Sequence, residues 1–148
     1  MFWFDKSDDR AVFIDNRAES HTLKDSSNKK GSRELLVAPD IVADFKALPF
    51  PDESFALVVF DPPHLIKSGD TGWLTKKYGK LSDGWKEELR CGFAECFRVL
   101  KPEGILVFKW NEQDIPVSQI LALTDERPLF GNRCGKQQQS HWIVFMKR

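Results

Sequence analysis

An acid, two prolines and a histidine follow an unbroken apolar stretch of the chain. Residues 56–60 read Ala-Leu-Val-Val-Phe, and Asp61, Pro62, Pro63 and His64 come directly after them. A short run of β-branched and aromatic residues predicts a strand buried on both faces, as in a parallel sheet. Asp61 would then stand at the carboxyl end of a strand, where open α/β sheets bind their ligands.

This acidic corner has the groups needed to orient an amine. Pro62 and Pro63 have no backbone N–H, so the corner is rich in acceptors and its backbone is restricted. An amino group that donates to the Asp61 carboxylate and to the Pro62 carbonyl keeps its lone pair directed at an electrophile. His64 could stack on a flat target, although imidazole offers a small π-face. The alternative is a surface turn that only closes a buried strand.

Composition limits the classes of protein to consider. The 148 residues suit one domain, and 41% apolar with 30% charged residues is typical of a soluble globular protein. No apolar run approaches the ~20 residues of a membrane span, and no signal peptide is visible, so we expect a cytoplasmic protein without membrane contact. The 22 basic and 22 acidic residues cancel, so nucleic acid could be bound only through a local patch. The three cysteines, an odd number without metal-ligand spacing, are interpreted as reduced structural thiols.

The remaining elements follow from periodicity and from turn residues. Residues 11–15 and 40–44 predict short strands that end on acids, and residues 19–33 lack an apolar period and predict a mobile loop or linker. A helix is predicted from Ser82 or Asp83 to about residue 100, and a short one capped by Asp114. Residues 128–130 and 141–146 predict an antiparallel hairpin. Strands that alternate with helices favour an α/β three-layer sandwich with a mostly parallel sheet and an antiparallel end.

Three segments resemble the class I S-adenosylmethionine-dependent amino-methyltransferases. The corner at Asp61 resembles their (Asp/Asn)-Pro-Pro-aromatic motif, with His64 in the aromatic position. Residues 44–64 resemble Asp-x-x-x-Leu-Pro-Phe-x-Asp-x-Ser-Phe-Asp-x-Val, except that Ala56 stands where the family has an acid. Residues 98–104 resemble (Arg/Lys)-Val-Leu-Lys-Pro-Gly-Gly. The resemblance covers about residues 11–148 and implies one domain with an N-terminally shortened Rossmann-like methyltransferase fold.

The resemblance also implies a cofactor and its binding residues. In S-adenosylmethionine binding, Asp44 would accept from the adenine amino group, and Phe45 and Leu48 would lie against the adenine ring. Asp15 would accept from the ribose hydroxyls, because strand-end carboxylates suit donors of this kind. Asp15 taken alone could equally be a helix N-cap or a turn acid. No metal site is expected.

The chain departs from the family at its glycine-rich loop. No Gly-x-Gly-x-Gly follows any predicted first strand. Residues 11–15 could be the second strand of the family, with the first strand and its loop missing. Alternatively they occupy the central first position, with Asp15, Asn16 and Arg17 in place of the glycines. We predict the second arrangement, in which residues 11–15 lie beside residues 55–60 and Asp15 and Asp61 reach the same sheet edge. Without a central first strand, two strand edges would keep unpaired backbone groups, which proteins normally avoid.

A basic and aromatic loop follows the corner, over residues 65–82. Loops of this length in compact domains are functional or disordered. Its lysines suit a phosphate backbone and its rings suit stacking, although a lid without a nucleic-acid role is equally consistent. The candidate substrate residues of the loop are Lys67, Trp73, Lys76, Lys77 and Tyr78.

Two hypotheses about function follow. The first is a methyltransferase that modifies an amine of DNA or RNA, with nucleic acid as substrate and a homodimer as a further possibility. The second is a catalytically inactive methyltransferase-like domain that binds nucleic acid or protein. The acidic corner favours the first hypothesis, and the missing glycine loop favours the second.

Overall fold

The computed structural model describes residues 3–69 and 72–148. The chain forms two compact units, residues 1–45 and residues 46–148. In the part of the chain that is described, every fully buried apolar side chain belongs to the second unit.

The first unit contains two small sheets. Strand β1 (Ile14–Asp15) pairs in parallel with β4 (Ile41–Val42). Both are shortened forms of the predicted strands, and β1 ends on Asp15 as predicted, whereas β4 ends on Val42, before Asp44. Strand β2 (Glu19–Lys24) pairs antiparallel with β3 (Ser32–Val37).

The β2–β3 hairpin corrects the prediction of a mobile loop at residues 19–33. Exposure alternates along β2, but the half-buried positions include polar residues such as Glu19 and His21, so no apolar period marks the strand. The turn is held locally: the Asp25 amide donates to the Gly31 carbonyl at 3.0 Å, and Gly31 has a positive φ of 67°. Backbone pairing, which the sequence pattern did not reveal, makes this segment a hairpin.

The prediction that residues 11–15 lie beside residues 55–60 was wrong. Strand β1 pairs with β4, and the strand at Phe55–Phe60 pairs in a different sheet. The carbonyls of this segment are already used within the first unit. The Phe13 carbonyl accepts from the amides of Asp40 and Ile41, and the Asp15 carbonyl accepts from the Ala43 amide at 3.1 Å.

The second unit is built on one four-stranded sheet, in the order β5, β6, β8, β7. Its strands are β5 (Phe55–Phe60), β6 (Leu100–Asn111), β7 (Phe130–Cys134) and β8 (Ser140–Met146). Strands β5 and β6 are parallel, whereas β8 runs antiparallel to both β6 and β7. The predicted antiparallel hairpin is therefore confirmed, but the sheet is mixed, with more antiparallel than parallel pairs, and not mostly parallel.

Helix α2 (Trp85–Val99) covers one face of this sheet. Its Phe93 ring lies 4.9 Å from the Phe108 ring and 6.2 Å from the Phe145 ring, measured between centroids. The opposite face carries exposed apolar residues, with Leu57 exposed to 49% and Met146 to 40%. Strand β5 is thus not buried on both faces as predicted, and the three-layer arrangement is not confirmed.

Two shorter helices correct the sequence interpretation. Helix α1 (Trp73–Tyr78) lies inside the segment that was predicted to be an irregular loop. Helix α3 (Val117–Leu121) begins after Pro116, and the Glu112 carboxylate accepts from its first amide at 3.3 Å. Asp114 does not cap this helix as predicted, because its carboxylate binds two amides of another segment, described below.

Candidate active site

Asp61 lies beside a lysine that the sequence analysis did not identify. The parallel register pairs Phe60 with Phe108, so the residues that follow, Asp61 and Lys109, are neighbours at the carboxyl end of β5. Lys109 Nζ donates to Asp61 Oδ2 at 2.9 Å, and the two side chains are exposed to 26% and 33%. A lysine inside the apolar run of β6 was the available signal, but its partner is 48 residues away.

An aromatic ring continues this row across the sheet. Strand β8 places Trp142 opposite Lys109, and Lys109 Nζ lies 5.8 Å from the centroid of the Trp142 ring. The ring face attracts a cation, so Trp142 stabilises the ammonium next to Asp61. An acid, a cation and an aromatic ring therefore stand side by side on β5, β6 and β8.

His64 packs against aromatic rings of its own chain. Its ring centroid lies 5.9 Å from that of Tyr78 and 6.4 Å, edge to face, from that of Trp110. Burial lowers the pKa of His64, and Lys109 lowers it further, whereas Asp61 and Asp114 act in the opposite direction. The imidazole is therefore neutral near pH 7. Of the two prolines, Pro62 is buried and Pro63 is half-buried.

The two ends of the segment after the acidic corner, residues 65–82, are joined by a backbone hydrogen bond. Leu65 and Leu81 are buried, and the Leu81 amide donates to the Leu65 carbonyl at 2.9 Å. Asp114 Oδ2 accepts from the amides of Ile66 at 2.8 Å and Lys67 at 3.1 Å. Burial acts to raise the pKa of Asp114, but these amides, with a smaller contribution from the Lys67 ammonium, outweigh it and the pKa is lowered. A charged acceptor therefore holds the start of the loop in place.

Helix α1 carries the basic and aromatic side chains of this loop. Lys77 Nζ lies 5.0 Å from the Tyr78 ring centroid and 5.8 Å from that of Trp73. Tyr78 reaches the corner through its contact with His64, whereas Lys67 is exposed and Lys76 is half-buried. Asp70 and Thr71, also in this loop, lie outside the described residues.

In the first unit, Asp15 is paired with a cation two residues further along. Arg17 Nε donates to Asp15 Oδ1 at 3.0 Å, and Arg17 Nη2 donates to Asp15 Oδ2 at 3.1 Å. Both oxygens of the Asp15 carboxylate therefore accept hydrogen bonds from Arg17. This hydrogen bonding raises the pKa of Arg17. Bidentate pairs of this kind are directional and stronger than single contacts.

The segment around Leu48 is fixed to helix α2. The Leu48 amide donates to Glu95 Oε2 at 2.7 Å, and its carbonyl accepts from Arg98 at 3.0 Å. Arg98 also donates to the Phe50 carbonyl and to Asp52, each at 2.8 Å. We call Glu95 and Arg98 the α2 clamp. The α2 clamp fixes the backbone of Leu48, one of the three residues predicted to contact adenine.

The other two predicted adenine contacts lie in the first unit. Asp44 and Phe45 are both half-buried and lie beyond Val42, the last residue of β4. The strand predicted over residues 40–44 is therefore shorter than expected, and Asp44 is not its last residue.

A concave region lies between α3 and the β7–β8 hairpin. It has a volume of about 420 Å³ and is lined by Val117, Leu121, Pro128, Phe130, Gly131, Asn132, Arg133, His141 and Ile143. His141 Nε2 lies 3.0 Å from Glu112 Oε1. In the first unit, His21 Nε2 lies 3.2 Å from Glu19 Oε1.

Residues 3–69 and 72–148 contain neither a metal-binding cluster nor a membrane-spanning helix. These residues contain no group of three or more His, Cys, Asp or Glu side chains arranged to hold a metal ion. Within the same ranges, no helix has both the length and the apolar character that a membrane span requires.

Comparison with known proteins identifies similar folds only. No family model and no curated protein matches the chain. The PH0226 protein from Pyrococcus horikoshii OT3 matches with a TM-score of 0.54 and 16% identity, over 75% of this chain and 60% of that one. TTHA0409, Putative DNA Modification Methylase from Thermus thermophilus, matches with a TM-score of 0.49 and 19% identity, over 72% and 52%. The chain thus spans little more than half the length of these structures and shares its fold with the PH0226 protein.

Proposed function

We propose that the chain is an S-adenosylmethionine-dependent methyltransferase that acts on an amine nitrogen of a nucleic acid base. The observation that carries this proposal is the position of Asp61. Its carboxylate stands at the carboxyl end of β5, is held by Lys109 at 2.9 Å, and is followed by two prolines. This is the corner whose sequence resembles the amino-methyltransferase motif.

The residues of the corner have distinct parts in the proposed reaction. Asp61 and the Pro62 carbonyl accept the two hydrogens of the target amine, which directs the nitrogen lone pair away from both acceptors. Pro63 restricts the backbone that carries them. His64, neutral and packed against Tyr78 and Trp110, forms an aromatic wall beside the target.

The residues present fit part of the proposed cofactor. Bound S-adenosylmethionine supplies an electrophilic methyl group. By the resemblance, Asp44, Phe45 and Leu48 would hold its adenine. The α2 clamp fixes the backbone of Leu48. Asp15 would accept from the ribose, which requires Arg17 to release at least one carboxylate oxygen. No glycine-rich loop is present for the methionine part.

A catalytically inactive domain that binds nucleic acid or protein is the second candidate. Two observations favour it: the missing glycine loop and the engagement of both Asp15 oxygens by Arg17. Such a domain would retain the acidic corner without binding S-adenosylmethionine.

Calorimetry with S-adenosylmethionine and S-adenosylhomocysteine, followed by methyl-transfer assays on DNA and RNA, separates the two candidates. We expect binding, and transfer that is lost in Asp61→Ala with cofactor affinity unchanged, because the carboxylate orients the amine. Asp83→Ala, which removes an exposed acid near the start of α2, is the matched control. Retained transfer in Asp61→Ala would overturn the role of the corner. No binding at millimolar concentration would favour the inactive domain.

The loop that carries α1 is proposed to contact the nucleic acid backbone. Replacing Lys76, Lys77 and Lys80 together by alanine should weaken nucleic-acid binding. The slope of log K against log salt concentration should also become shallower, by the amount expected for the loss of up to ~3 phosphate contacts. The control replaces Lys24, Lys29 and Lys30 by alanine, which removes the same charge from the β2–β3 hairpin. Equal losses in the two triple variants would indicate only a general charge effect.

A further inference from the structure

We propose that Lys109 makes the Asp61 corner selective for uncharged amines. Aromatic and amide amino groups would be accepted there, and aliphatic ammonium groups would be rejected. This inference rests on the proposed function and narrows its substrate class. It concerns a residue that no sequence motif marks.

The geometry places a resident cation on one side of the acceptor. Lys109 Nζ donates to Asp61 Oδ2, and no other hydrogen bond to the Asp61 carboxylate is found among residues 3–69 and 72–148. Oδ1 therefore remains available to a target. A target amine bound there would share the Asp61 carboxylate with the Lys109 ammonium, and only that carboxylate and two hydrogen bonds would separate the two nitrogens.

Charge then decides which amines can bind. An aliphatic amine is protonated at neutral pH, since its pKa is about 10.4, and it has no lone pair to react. Next to Lys109 it would meet a like charge, and the acid that would otherwise attract it is already neutralised. The amino group of a nucleobase is uncharged, so the repulsion does not apply to it.

The position of Lys109 is determined by the sheet. The β5–β6 register sets it beside Asp61, and the β6–β8 register sets it opposite Trp142, whose ring lies 5.8 Å from Nζ. The side chain is exposed to only 26%, so solvent screens its charge incompletely. Lys109 is therefore a positioning and selectivity residue that acts through Asp61.

The test measures amine binding directly at Asp61. The Asp61 carboxyl resonance, assigned by its loss in Asp61→Asn, is followed by carbon-13 NMR. The full-length protein is titrated with adenosine, with cytidine, with purine riboside, which has no amino group, and with methylammonium. In the unchanged protein we expect adenosine or cytidine, but neither purine riboside nor methylammonium, to shift the resonance. In Lys109→Met, methylammonium should shift it with an affinity at least ~10-fold higher.

Two further variants separate this role from a structural one. Lys109→Arg keeps the cation and should restore the rejection of methylammonium. Lys101→Met makes the same substitution at an exposed site on the same strand and should change nothing. The proposal is overturned if methylammonium shifts the resonance equally with and without Lys109, or if neither nucleoside shifts it. Because no methyl transfer is measured, an inactive chain that still discriminates between amines would refute the proposed function and leave this inference standing.

Discussion

The two compact units of this chain are stabilised in different ways. Residues 46–148 bury large apolar side chains between α2 and the four-stranded sheet, including Phe93 and Phe108. The described part of residues 1–45 has no fully buried apolar side chain. It relies on backbone pairing and on pairs between acids and arginines that lie close in sequence or across one hairpin. Apolar burial is the larger source of stability, because exposed ion pairs contribute little.

Asp15 and Asp61, the two strand-end acids, also differ in whether their cationic partner is local in sequence or distant. Asp15 is neutralised by Arg17, two residues further along the chain. Asp61 is neutralised by Lys109, which only the parallel pairing of β5 and β6 brings near. The first pair can form wherever the local turn forms, whereas the second depends on the folded sheet. Four predictions test this contrast, from the largest expected effect to the smallest.

Truncating a core ring should cost far more stability than truncating an exposed residue of the first unit. Phe93→Ala removes a ring that is 1% exposed and contacts Phe60, Phe108 and Phe145. We expect the free energy of unfolding to fall by about 3–5 kcal/mol. Leu36→Ala, at a site exposed to 66%, should change it by less than about 0.5 kcal/mol. Urea unfolding measures both, and similar losses would contradict the contrast between the units.

The α2 clamp should control the local stability of the segment at Leu48. Glu95→Ala removes the acceptor of the Leu48 amide, so we expect amide exchange at Leu48 to accelerate on the order of tenfold. Glu87→Ala is the matched control, because Glu87 pairs with Arg90 on an exposed part of the same helix. If both variants leave exchange at Leu48 unchanged, the clamp does not fix this segment.

Asp15 and Asp8 provide a matched pair for cofactor binding. Each pairs with an arginine two residues further along, Arg17 or Arg10. Asp15→Ala should weaken the binding of S-adenosylhomocysteine by at least ~1 kcal/mol, the scale of a charge-assisted hydrogen bond. Asp8→Ala should leave the binding unchanged. Calorimetry that finds the same affinity in both variants would remove Asp15 from the cofactor site.

Lowering the pH should destabilise the protein slightly through His64. The folded state holds the pKa of His64 below its ordinary value of 6.5, chiefly by burial, so protonation favours the unfolded chain. Stability should therefore fall as the pH decreases through about 6.5, above the range in which carboxylates titrate. His64→Gln should reduce this loss between about pH 7.5 and 5.5, and His21→Gln serves as the control. Urea unfolding at both pH values gives the comparison, and an unchanged pH dependence in His64→Gln would show that His64 is not responsible.

Local patterns were sufficient for several parts of this protein. The apolar period of residues 85–100 predicted α2, and the run ending at Phe60 predicted β5 and placed Asp61 at its carboxyl end. The final hairpin was also predicted, because its strands and turn are contiguous in sequence. The β2–β3 hairpin was missed, since its half-buried face carries Glu19 and His21 where an apolar period was sought.

Pairing between distant segments was decided by the tertiary structure. Residues 11–15 could form a strand in either sheet, and the amides of residues 40–43 made β4 the partner of β1. Asp114 resembled a helix cap in sequence, but the fold directs its carboxylate to Ile66 and Lys67. The sequence by itself determined the acid, the two prolines and the histidine of the corner. Only the β5–β6 register decided that Lys109 donates to Asp61, because a hydrogen bond between residues 48 positions apart requires two strands to be aligned first.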